Sequence, residues 1–192
     1  MDDTPKSLLQ RVRNGSANAD WERLTDLYTP FLQRIVQHFG RSGADRDDLI
    51  QEVFTVVVRE IGEFVHNEQR GAFRRWLRAI TLNRLRGVWR MEATHGENPH
   101  NAEVLLANQQ DAANDLERLW DQEHDAWVAR KLLELLEPEF TVSTWQAFRR
   151  QVVDGLAAGD VARELGMTAN AVLIAKSRVL RRLREEAAGL ID

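Results

Sequence analysis

The sequence predicts an all-α protein: two small helical domains joined by an acidic linker. Three observations carry that expectation. Apolar residues recur at helical spacing almost throughout, no segment sustains strand alternation, and Gly and Pro fall mainly between the periodic runs. A chain of 192 residues suits one domain or two small ones.

The periodic runs place helices at residues 7–13, 19–39, 46–64 and 71–91. The segment HGENPHNAE, residues 95–103, is polar, contains Pro99 and marks the start of the linker. A second block places helices at 116–136, 141–154, 158–165 and 169–187. The expected domains are therefore 1–92 and 116–192, with 93–115 between them. No internal repeat is visible.

On a wheel of about 100° per residue, Leu49, Val53, Val56 and Val57 form one apolar stripe of the third helix. Ile50, Phe54, Val58 and Ile61 form an adjoining one, while Asp48, Gln51, Glu52, Thr55 and Arg59 fill the polar face. Asp45 and Asp47 favour the positive end of the helix dipole, which alone would account for them. Asp45, Asp48 and Glu52 stand at i, i+3 and i+7 and would share a face suited to Mg²⁺. No Gly-rich phosphate loop and no second acidic motif completes such a site. An apolar edge ringed by acids also suits a basic, partly apolar protein surface.

The fourth helix reverses the charge. Residues 70–90, RGAFRRWLRAITLNRLRGVWR, hold Arg70, Arg74, Arg75, Arg78, Arg84, Arg86 and Arg90 and no acid. Phe73, Leu77, Ile80 and Leu85 can face a core, with Trp76 and Trp89 nearer its edge. Arginine contacts phosphate and stacks on bases, tryptophan offers a stacking platform and Asn83 can read a base edge. Seven unrelieved positive charges favour nucleic-acid contact over a merely solvated face. Residues 92–125 are nearly the opposite, acidic with only Arg118 among them; basic charge returns at Lys176, Arg178, Arg181, Arg182 and Arg184.

The clearest local signal is GDVARELGMTANAVLIAKSRVLRRL, in which Ala162, Gly166 and Val172 take the spacing of a helix-turn-helix. A small residue lets the helices approach, Gly tolerates the turn and Val closes the core. Thr168 is placed as the N-cap of the second helix, which would enter the major groove with its N-terminal half.

Composition excludes several classes. Zero Cys removes disulfides and thiolate metal sites. No apolar run approaches the roughly 20 residues that span a bilayer, and the acidic start MDDTPKSLLQRVRNG lacks a signal-peptide core. A cytoplasmic, membrane-free protein is the expectation. No nucleophile constellation or paired-His motif is present, so neither an enzyme nor a cofactor is expected.

The motif DRDDLIQEVF, followed by FRRWLRAITLNRL, an acidic linker and a terminal helix-turn-helix, resembles an extracytoplasmic-function sigma factor. The resemblance covers nearly the whole chain. The tracts EFTVSTWQAF and AVLIAKSRVLRRLRE are similar to a subgroup often encoded beside Ser/Thr kinases. The resemblance implies a region 2-like bundle at 1–92 and a region 4-like domain at 116–192. It also implies a dissociable subunit that gives bacterial core RNA polymerase its promoter specificity.

By that resemblance Asp48, Leu49, Gln51, Glu52 and Phe54 dock on the clamp helices of the polymerase's largest subunit, and its flap is a further contact. The promoter-melting, −10-reading set is Arg75, Trp76, Arg78, Asn83, Arg86 and Arg90, with Asn83 helping to capture an unpaired base. The −35 set is Thr168, Asn170, Lys176, Ser177, Arg178, Arg181 and Arg182. An anti-sigma factor or a Ser/Thr kinase is the implied regulatory partner, and promoter DNA the ligand.

The recognition helix departs from the family's Thr-Val-Arg-Ser-Arg type of run, because Ala171, Val172, Leu173, Ile174 and Ala175 stand there. Two readings stay open. Lys176 to Arg182 hold phosphates while few side chains read bases, or the Leu173–Ile174 patch contacts protein. A self-sufficient helix-turn-helix regulator is the rival function.

Overall fold

The computed structural model describes residues 6–15, 18–64, 71–95 and 99–191, with side chains described outside 92–95 and 99–109. Arg70 of the basic run, and part of the expected linker, lie outside the described residues. The fold is all-α. Helices α1 (Leu8–Arg13), α2 (Asn18–His38), α3 (Gly43–Glu60) and α4 (Ala72–His95) are followed by α5 (Pro99–Leu136), a 3-10 turn (Glu137–Glu139), α6 (Val142–Val152), α7 (Ala158–Leu165) and α8 (Ala169–Ala187).

Helix α1 begins in a capping box: the Ser7 hydroxyl accepts from the Gln10 amide, and the Gln10 side chain accepts from the Ser7 amide. Helix α2 runs through Pro30, whose missing N–H deprives the carbonyl of residue 26 of its helical partner. Asp26 lies on the exposed side, where water can serve that carbonyl. Leu24, Leu27, Tyr28, Phe31, Leu32, Ile35 and Val36 give α2 a continuous buried face. Helix α3 starts three residues earlier than its periodicity suggests, and Asp45 sits in its first turn.

The principal correction concerns α5. The helix expected at 116–136 begins at Pro99, so residues 99–115 of the expected linker are helical. Ala113, Leu116, Trp120, His124, Val128, Leu132 and Leu136 are buried along it. Steps of four residues advance about 40° beyond a full turn, so this stripe winds around the helix instead of holding one face. That winding lets α5 meet α2, α4 and α8 in turn.

A single apolar core therefore joins α1 through α5 with Ala187 and Leu190 at the end of the chain. Its centre is aromatic: Phe31 meets Trp120 edge-on at 4.9 Å, and Trp120 stacks beside His124. The helix-turn-helix keeps smaller cores of its own. Ala147, Val161, Ala162, Val172 and Ala175 form one, and Trp145, Phe148 and Val179 the other.

Candidate nucleic-acid interface

Helix α3 presents Asp48, Gln51, Glu52, Thr55 and Val58 outward, while Phe54 is half-buried. Leu49, expected among the polymerase-docking residues, is only 3% exposed and belongs to the core beneath that outward face. Val58, at 57% exposure, supplies apolar surface one turn beyond Phe54. Its place in the apolar stripe hid it in the sequence, because a stripe this wide cannot all be buried. Arg46 pairs with Asp47 at 3.0 Å and Glu52 approaches Arg84 of α4 at 3.7 Å. Among the described residues, no three His, Asp or Glu side chains gather closely enough to hold a metal ion.

Helix α4 follows the expected division: Phe73, Leu77, Ile80 and Leu85 are buried, and Trp76 and Trp89 are half-buried at the edge. Its candidate nucleic-acid residues separate onto two sides. Towards α3 lie Trp76 and Asn83. The Trp76 ring packs on Phe64 at 4.8 Å and on Phe73 at 5.7 Å. Asn83 is exposed and lines a recess of about 330 Å³ with Val56, Arg59, Glu60, Ile80 and Arg84.

Towards α5 lie Arg75, Arg78 and Arg86, which share a second recess with Asn114 and Glu117. Arg78 pairs with Glu117 at 2.6 Å and with Asp121 at 3.2 Å, and Arg74 reaches Asp125 at 3.3 Å. Arg90 is exposed at the far end of α4, its Nε donating to the Arg86 carbonyl. The acidic stretch noted in the sequence thus lies partly against the arginine helix. In this arrangement α5 occupies one of the two faces that a polyanion would use.

The C-terminal unit is a helix-turn-helix. Helix α7 ends at Gly166 in the left-handed conformation (φ 64°), which glycine adopts without a Cβ clash. The Gly166 N–H donates to the Ala162 carbonyl, and Thr168 caps α8 by accepting from the Ala171 amide at 3.1 Å. With Val172, Ala175 and Val179 buried, the outward face carries Asn170, Leu173, Ile174, Ser177, Arg178 and Arg181. Lys176 is half-buried on the flank. Arg182 does not join that face; it pairs with Glu139 at 2.8 Å and with Glu186 at 2.9 Å.

Residues 24–94, from α2 to the end of α4, match the family model of sigma-70 region 2. That segment is similar to a sigma-70 region 2 domain. Region 2 is a helical domain of sigma factors, and the similarity covers this segment of the chain alone. No curated protein and no solved structure matches the chain. The match stops before α5, so the helix lying on region 2's arginines is outside the matched domain. Among the described residues no helix is long and apolar enough to cross a membrane.

Proposed function

We infer that the chain is a sigma factor of the extracytoplasmic-function type, joining core RNA polymerase to direct promoter recognition, DNA melting and initiation. One observation carries the reading: a region 2 domain is followed in the same chain by a helix-turn-helix whose outer face is basic. In this reading 1–92 docks on polymerase and handles the −10 element, 93–115 connects, and 116–192 reads the −35 element.

The acidic outer face of α3, with Asp48, Gln51, Glu52, Phe54 and Val58, docks on the clamp helices. Trp76 and Asn83 handle the unpaired strand, because the recess beside Asn83 combines Val56 and Ile80 with the cationic Arg59 and Arg84. Arg75, Arg78, Arg86 and Arg90 track phosphates once α5 moves away. The polymerase flap is the partner of the C-terminal domain. An anti-sigma factor or Ser/Thr kinase regulates the protein in the cytoplasm.

A self-sufficient regulator remains the competing reading, because the recognition face of α8 is already exposed while α5 covers arginines of region 2. Purified protein is incubated with core polymerase and then tested for transcription on a promoter library. Co-elution and core-dependent initiation support the sigma reading. Tight, site-specific duplex binding by the protein alone, with no core association, replaces it with the regulator.

A further inference from the structure

We propose that the recognition helix reads thymine methyl groups in the major groove through Leu173 and Ile174, selecting its duplex element by apolar contact. The inference deepens the proposed function, since it names what the C-terminal domain recognises.

The arrangement on α8 supports it. Leu173 and Ile174 are 50% and 42% exposed, on the side opposite buried Val172, Ala175 and Val179. They lie in the N-terminal half of the helix, the half that a helix-turn-helix inserts into the groove. Arg178 and Arg181 continue the same face towards the C-terminus, and Asn170 precedes it. No acid occurs between Ala169 and Arg184. An apolar pair framed by an amide and two arginines matches a surface that is apolar at points and anionic around them.

Duplex DNA offers that surface. The thymine C5-methyl is the apolar mark of the major groove, and aliphatic side chains contact it, while flanking phosphates take arginine. No arginine or lysine stands among the first seven residues of α8, so bidentate guanine readout from that end of the helix is not available. A protein partner would more naturally meet an apolar centre with a polar rim of both signs. This face has only the positive sign.

The test uses the full chain bound to core polymerase. An upstream duplex element is first selected from a random pool, and each of its thymines is then replaced singly by deoxyuridine, which removes only the methyl. At one or two positions binding should weaken roughly fourfold, the ratio that one buried methyl-sized group is worth. Leu173→Ala and Ile174→Ala should weaken binding to the thymine duplex by a similar factor and lose sensitivity to deoxyuridine. Both side chains are solvent-facing, so circular dichroism and core association should match the parent.

Retention of full deoxyuridine sensitivity by both variants, or its absence in the parent, overturns the proposal. So does a loss of core association in Leu173→Ala with unchanged DNA selection, which assigns the patch to a protein. If the chain does not join core at all, the sigma reading fails instead. The same deoxyuridine comparison on duplex selected by the protein alone then still decides the methyl readout.

Discussion

Glu186 has no exposed surface, yet it is held as a carboxylate by Arg11 at 2.8 Å and Arg182 at 2.9 Å, with Arg23 at 3.6 Å. Burial by itself would raise its pKa. The hydrogen bonds from Arg11 and Arg182 outweigh that and leave it below the ordinary 4.5. Its contribution to stability is therefore complete above about pH 4.5 and is lost as pH falls through the folded value. Glu186→Gln removes the charge and leaves the guanidinium groups facing a neutral amide. We expect a loss of about 3 kcal/mol in urea unfolding at pH 7, the scale of a broken buried pair. Glu52 is the opposite case, 61% exposed by its side chain and only 3.7 Å from Arg84. Glu52→Arg should leave helicity unchanged and weaken core association at least about tenfold, because like charges would meet at a desolvated interface. Undiminished co-elution with core would remove α3 from the docking role.

At the level of elements, the joint between α2 and α5 depends on His124. Its Nδ1–H donates to the Asp125 carboxylate at 2.8 Å, so Nε2 accepts from the Tyr28 hydroxyl at 3.1 Å. Burial lowers the His124 pKa from 6.5 and prevails over Asp125, which pulls it up; Arg74 lowers it further and Asp121 raises it. Between the lowered folded value and 6.5 the unfolded chain binds more protons than the folded one. Stability should consequently fall as pH drops below about 6.5, starting at a higher pH than the loss due to Glu186. Unfolding midpoints at pH 7.5 and 5.5 should differ in the parent protein, and His124→Asn should reduce the difference. An equal pH response in both proteins would show that His124 does not set it.

On the scale of the whole molecule, α5 connects what the sequence divides. Its apolar stripe completes the region 2 core, while Glu117, Asp121 and Asp125 neutralise Arg74 and Arg78. Arg11, Arg23, Arg182, Glu139 and Glu186 then hold the end of α8 against α1 and α2. A protein closed in this way, with a net charge of −4, should bind DNA weakly when free of polymerase. Glu117→Gln combined with Asp121→Asn keeps side-chain shape, releases Arg78 from both of its acids and leaves Arg74 to Asp125 alone. The variant should bind single-stranded DNA more tightly, and its salt slope should steepen by about 0.7 for each arginine released to phosphate. An unchanged slope would mean that α5 does not restrain those arginines.

Much of this molecule was legible in one dimension. The helical period, the capping residue Thr168, the turn at Gly166 and the buried side of α4 all depend on neighbours within a few residues, and local chemistry decides them. The basic run of α4 and the acidic run after it were equally plain as composition. That the two runs face each other is a contact between residues about 40 positions apart, such as Arg78 and Glu117, which no local pattern records. The polar tract HGENPHNAE with Pro99 reads as linker, so α5 is legible in sequence only from residue 116. Arg182 was counted with the DNA-facing residues because its charge is visible in sequence, whereas its partners Glu139 and Glu186 are visible only in space. By itself the sequence determined that the chain is helical, where most of its helices lie and which segments carry charge, because periodicity and composition are local. Tertiary structure alone decided which charges are satisfied internally and which remain for a partner, because pairing depends on distances that only packing sets.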